Sequence, residues 1–211
     1  RRSWLATGAP STVKNSSLPD KREDRSLMGL SEVLDPPGER ATDKAHVTDL
    51  IARVLGDKRG DFASLPQNVH NIMAMGRIWE SVVRVDVAKA ALDVGLVPSG
   101  PQVLELDGII GSLDGSVCDL EHGMVIPKCV VEVKCRFSPA SNPRDNKRYM
   151  YQGKSYCWML GVEELWMPIL NISTRPPNAE YVLYKMRFSR LELEENWKML
   201  VNMKEYVDAS K

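Results

Sequence analysis

The feature that most constrains the fold is a change of period at Gly95. Before it, Ile72, Met75, Ile78, Trp79, Val82, Val83, Val87, Ala90 and Ala91 recur at helical spacing. This predicts one long helix over about 68–94, with Gly95 as its stop. After it, apolar residues alternate with polar ones, the period of a strand. Strands are expected at Gln102–Leu106, Ile109–Leu113 and 128–135, separated by the turn-like Asp107-Gly108, Asp114-Gly115 and Glu121-His122-Gly123.

Helical spacing returns over about Lys147–Leu160 and stops at Gly161. Strands are then expected over 164–170 and 181–188, and Ser189 caps a last helix to about Asp208. Upstream, Thr42 caps a helix to about Leu55, and 26–38 reads as a short helix closed by Pro36-Pro37-Gly38. Helix, three strands, helix, two strands, helix predicts an α/β fold with a mixed central β-sheet flanked by helices. Residues 1–26 are polar and aperiodic, which predicts a flexible arm, with 27–211 as a single domain.

Composition narrows the function classes. Lys and Arg number 28 and so do Asp and Glu, so a tail-driven polycation is excluded. A neutral total still permits basic patches. Hydrophobic residues at 43% and charged residues at 27% fit a water-soluble folded chain. No run approaches the roughly 18 apolar residues of a membrane span, so no membrane partner is expected. No charged-then-apolar leader opens the chain, and its first residue is not Met, as in a trimmed or fragment start. Cys118, Cys129, Cys135 and Cys157 form no C-x-x-C pair, which predicts reduced thiols in an intracellular protein.

The chemistry concentrates in CVVEVKC (129–135). Alternation puts Glu132 and Lys134 on one face, with Val131, Val133 and Cys135 on the other. An anion beside a cation in an apolar strand needs partners, water or a metal. Taken alone, E-x-K also fits a salt-bridged edge strand. Eighteen residues upstream, Asp114 stands among glycines in GIIGSLDG, which equally fits a plain hairpin turn. Glu80 interrupts the apolar pattern of the long helix, where it also fits the polar face of that helix. Three carboxylates and a lysine, if convergent, make a site for a hard divalent cation such as Mg²⁺. Such an ion stabilises charge on an attacked phosphate and acidifies water.

The order of helix Glu80, strand-end Asp114, and Glu132-x-Lys134 on the next strand resembles the PD-(D/E)XK nuclease superfamily. Leu113 stands where that family usually has proline. A narrower resemblance, to lambda-type exonucleases of phage recombination, runs through SEV (31–33), GRIWE (76–80), GSLDG (111–115), EVKCRFS (132–138) and YMYQGKSYCWML (149–160). The resemblance implies a restriction-endonuclease-like core and Mg²⁺-dependent hydrolysis of DNA, with Mn²⁺ substituting, from a double-stranded end. It implies catalytic roles for Glu80, Asp114, Glu132, Lys134 and Gln152, and metal ligation by Asp114, Glu132, Val133 and Glu80. It places Arg25, Ser31 and Ser112 on a terminal 5′-phosphate; that family's second phosphate arginine falls near Ala140 here, with Arg136 and Arg144 close by. It further implies a ring-forming homo-oligomer, a single-strand annealing partner and, for a phage protein, the cytoplasm of a bacterial host. The alternatives are an endonuclease with the same core and a non-catalytic DNA-binding protein.

A nuclease must hold a polyanion. Residues 136–148 and Lys154 carry five Lys or Arg against one Asp, directly after the E-x-K strand. Arg136, Arg144, Lys147, Arg148 and Lys154 are therefore expected to contact phosphates, while Glu192, Glu194 and Glu195 face away from DNA.

Overall fold

In the computed structural model the described residues are 44–57, 67–136, 141–172 and 179–210, with 67–75, 77 and 179 described as backbone alone. The expected arm, the short helix over 26–38, Arg25 and Ser31 lie outside them.

Four helices are described: α1 (Val47–Val54), α2 (Gln67–Asp93), α3 (Lys147–Leu160) and α4 (Arg190–Ala209). The strands are β1 (Ala45–His46), β2 (Val97–Ser99), β3 (Gln102–Leu106), β4 (Ile109–Leu113), β5 (Gly115–Glu121), β6 (Met124–Val131), β7 (Lys134–Arg136), β8 (Glu164–Ile172) and β9 (Ala179–Arg187). The expected mixed sheet flanked by helices is the observed architecture. The larger sheet runs β2–β5–β6–β8, with β9 antiparallel to β8. β6 and β7 both pair parallel with β8 in one unbroken register, Cys129 opposite Glu164 and Lys134 opposite Ile169. They are thus two halves of one line, and α3 supplies the crossover that parallel pairing requires. A smaller sheet has the order β1–β4–β3.

Alternation explains the two cores. On β8, Leu165, Met167 and Ile169 face α1, α3 and α4, packing with Ile51, Tyr156, Leu193 and Leu200. Trp166 and Leu170 face the other way, against Val83, Val87 and Ala91 of α2. Both faces of β8 are covered, which is why LWMPIL reads as a continuous apolar run. The local stops are as expected. Gly161 ends α3 at φ 76°, and Ser189 and Glu192 form a reciprocal capping box on α4. Asp107-Gly108 and His122-Gly123 turn with positive φ at both residues, the primed hairpin geometry.

The first helix begins at Val47 with His46 as its N-cap, not from the expected Thr42 cap, and β1, β2 and β5 were not expected. Three further expectations change. The expected strand over 128–135 begins earlier, at Met124, and is interrupted at Glu132-Val133. Glu132 donates its N–H to the Trp166 carbonyl at 3.0 Å, and the register sets Pro168 where the return donor belongs. Proline has no N–H, so the Glu132 carbonyl loses its ladder partner there. Second, Asp114-Gly115 is not a hairpin turn. Asp114 is the single residue between β4 and β5, where the chain leaves the small sheet for the large one. Third, the apolar pattern of α2 is wider than the stripe its sheet covers. Val83, Val87 and Ala91 are buried, whereas Ile78, Trp79 and Val82 are exposed.

All four cysteines are free thiols. Burial pushes Cys129 up to about 12 and Cys135 up to about 11, so both are protonated at neutral pH.

Candidate active site

The site forms where the two sheets meet. A cavity of about 320 Å³ is walled by the N-terminal end of α1, the inner face of α2, the β4–β5 junction, the broken β6–β7 line and α3. Glu80, Ser112, Asp114, Glu132, Val133, Lys134 and Gln152 all line it, although they are spread over 73 residues of sequence, from 80 to 152. His46, Thr48 and Tyr156 line it too, and the sequence had not singled them out for chemistry.

Each side chain is placed by a local reason. Glu132 and Lys134 share a face by alternation, and Lys134 Nζ donates to Glu132 Oε1 at 2.5 Å. Asp114 lies just beyond the end of the β5–β6 ladder. There its Oδ2 accepts the Val133 N–H at 2.8 Å, standing in for the strand that has ended. Gln152 Oε1 accepts from Lys134 Nζ at 3.1 Å. Gln152 Nε2 donates to the Tyr156 hydroxyl at 3.1 Å, one turn along α3. Gly153 permits this approach: a Cβ there would lie 2.4 Å from Leu165 Cδ2. The i, i+4 spacing of Gln152 and Tyr156 is the pattern by which the tyrosine was findable.

The electrostatics follow from burial. Desolvation raises Glu132, and the neighbouring Asp114 charge adds to it. Lys134 opposes both, and the net effect pushes Glu132 up to about 8. Burial also raises Asp114 against the lowering effects of Lys134, the Val133 N–H and Arg84. Burial disfavours the Lys134 charge, yet the Glu132 and Asp114 carboxylates outweigh it and hold the ammonium above the usual lysine range. Lys134 is therefore a protonated group at neutral pH, suited to positioning and charge neutralisation.

Glu132 is 2% exposed, and its Oε2 is buried without a hydrogen-bond partner. A carboxylate oxygen in that condition fits a cation. Among the described residues no group of three or more His, Cys, Asp or Glu side chains gathers closely enough to hold an ion by itself. Mg²⁺ does not need one: it keeps several waters and takes one or two carboxylates.

The basic residues divide. Arg136 is buried, with Nε on Asn171 Oδ1 at 3.1 Å and its other nitrogens on Ser141 Oγ and O at 2.8 and 3.0 Å. Its donors are committed to the protein. Arg148 pairs with Asp57. Lys154 pairs with Glu192 at 3.2 Å, so the expected separation of a DNA-facing Lys154 from an outward Glu192 does not occur. Arg144 and Lys147 are exposed around the start of α3.

No protein-family model and no curated protein matches the chain. Among solved structures, it is similar to an alkaline exonuclease, LHK-Exo, from Laribacter hongkongensis. Identity is 13%, the TM-score is 0.50, and the match covers 88% of this chain and 93% of that one. The chain shares the fold of a bacterial exonuclease. It is also similar to a phage related exonuclease from Haemophilus somnus 129PT, at 15% identity and a TM-score of 0.43, over 86% of this chain and 92% of that one. No helix among the described residues is long and apolar enough to cross a membrane.

Proposed function

We propose that this protein is a metal-dependent deoxyribonuclease that hydrolyses phosphodiester bonds of double-stranded DNA from a free end. One observation carries the reading. Glu80, Asp114, Glu132 and Lys134, remote in sequence, line one cavity on a fold shared with an exonuclease, and the buried Glu132 Oε2 has no partner.

Asp114 and Glu132 would hold the ion, together with Glu80 from the same cavity lining and the Val133 carbonyl as the main-chain ligand. Backbone N–H and C=O of one residue face the same edge of an extended strand, and the Val133 N–H already faces Asp114. When bound there, Mg²⁺ would supply charge neutralisation at the phosphate and a lowered pKa of bound water. Lys134 stays protonated and orients that water beside the phosphate. Gln152 fixes the lysine, and Tyr156 fixes Gln152. Ser112 lines the same cavity and offers a hydroxyl to a phosphate. Arg144 and Lys147 are the exposed candidates for duplex phosphates; buried Arg136 acts as a loop anchor. The sequence resemblance to lambda-type exonucleases extends the proposal to assembly around DNA and to a single-strand annealing partner.

The test is a Mg²⁺-dependent digestion of a 5′-phosphorylated linear duplex beside a covalently closed circle of the same sequence. The linear duplex is degraded and the circle survives. Cutting of the circle makes the enzyme an endonuclease. Binding of either without cleavage makes it a DNA-binding protein of this fold.

A further inference from the structure

The Lys134 ammonium meets an aromatic ring as well as two oxygens. Its Nζ lies over the Tyr149 ring, 5.4 Å from the centroid. Tyr149 is half-buried, packs against the main core and stands outside the cavity lining. Its place is fixed locally. Asn146, the cap of α3, accepts the Tyr149 N–H on its side chain at 3.2 Å. Tyr149 and Gln152 are three residues apart, so one face of the helix brings both to the same lysine.

An ammonium has three N–H donors. At Lys134 one reaches Glu132 Oε1 and one reaches Gln152 Oε1. The first of these bonds is the one a metal disturbs. With a divalent cation on the free Glu132 oxygen, the ammonium is repelled and its hold on Oε1 weakens. Gln152 and the Tyr149 ring are neutral and outside that competition. The face of an aromatic ring attracts a cation within about 6 Å of its centroid, more strongly where water is excluded. Arg136 is the other cation near this ring. Its Cζ is 6.0 Å from the centroid, at the limit of that range, and its donors are committed to Asn171 and Ser141.

We propose that Tyr149 is a positioning residue for Lys134: from behind the cavity wall, its ring and Gln152 hold the ammonium in place when Glu132 is shared with a metal. The inference rests on Lys134 serving hydrolysis, as proposed above. Filling the core and holding a cation make different demands at position 149. The core asks for apolar volume, which leucine supplies. The cation asks for the negative face of a ring, which phenylalanine keeps and pentafluorophenylalanine, close to it in shape, reverses.

The test is nucleotide release from linear duplex DNA with Mg²⁺ by wild type, Tyr149→Phe, Tyr149→Leu and Tyr149→pentafluorophenylalanine, with thermal unfolding run alongside. The expected kcat is within about twofold of wild type in Tyr149→Phe and down about tenfold in the other two, with KM for DNA within about twofold throughout. In the metal-free chain, the Lys134 Hε signal, identified by its loss in Lys134→Arg, lies upfield through the ring current. It stays there in Tyr149→Phe and moves downfield in Tyr149→Leu. A folded leucine or pentafluoro variant as fast as Tyr149→Phe overturns the proposal, and so does an Hε signal unmoved in Tyr149→Leu. A raised KM with unchanged kcat also overturns it, since the ring then serves Arg136 and its loop. If Tyr149→Leu does not fold, the pentafluoro variant decides. If the wild type releases no nucleotides, the proposed function itself fails and the positioning role falls with it.

Discussion

Glu132 shows how one residue's environment decides its chemistry. It is the most buried of the site's carboxylates, and burial with the Asp114 charge pushes it up to about 8. A cation binds the ionised form, so metal and proton compete. Below about pH 8 the proton must leave as the metal enters; above it, the carboxylate is already free. The apparent affinity for Mg²⁺ or Mn²⁺ therefore rises with pH from 6 to about 8, by up to tenfold per unit, and levels off beyond. A titration repeated at pH 6, 7, 8 and 9 checks the slope, and a flat profile places the Glu132 proton elsewhere. At this scale much was legible from the sequence. Alternation alone put Glu132 and Lys134 on one face, and it puts Arg136 on that face too. That last consequence decides the fate of Arg136. The face beyond Lys134 lies under α3, where the Tyr149 ring meets both cations, so Arg136 is enclosed instead of offered to DNA. A count of basic residues in a segment does not reveal which of them turn inward.

Among the elements, α3 was legible to about its observed bounds because its stop, Gly161, is a local signal; the Asn146 cap at its start is equally local but was not singled out. β5 was missed because its seven residues open on Gly and close on Asp-Leu-Glu, between two turn signals, with no apolar alternation to announce it. The break at Glu132-Val133 was also not legible, since its cause, Pro168, belongs to a different strand. Pairing partners are tertiary facts, and a single strand's periodicity carries no trace of them. The close seat of α3 on β8 is another such fact, and it makes a prediction. Gly153→Ala forces a methyl group against Leu165, which is fully buried. Overpacking of this kind destabilises by about 1–3 kcal/mol and lifts Gln152 away from Lys134. Chemical denaturation should show the loss of stability, and kcat should fall further than stability alone explains. A variant as stable and as active as wild type contradicts the packing described.

For the whole molecule, the balanced charge gains meaning from its distribution. The negative charges that matter, Glu80, Asp114 and Glu132, line one cavity. The positive charge expected to hold DNA is thinner than the sequence suggested, because Arg136, Arg148 and Lys154 engage protein partners. Arg144 and Lys147 remain as the exposed pair after the E-x-K strand. Their joint replacement by alanine should raise KM for linear duplex severalfold, leave kcat unchanged and reduce the salt dependence of binding by about two charges. Unaltered KM and salt slope would assign DNA binding to another surface.

The central claim is that one cavity, assembled by Glu80, Asp114, Glu132 and Lys134, performs metal-dependent DNA hydrolysis. Its most direct measurement is nucleotide release from linear duplex DNA with Mg²⁺, comparing wild type with folded Glu132→Ala and Lys134→Ala. The wild type should release nucleotides, release should be abolished by chelation, and each variant should lose at least about a hundredfold of the rate. Cleavage that persists in both folded variants, or that continues in the presence of a chelator, contradicts the claim.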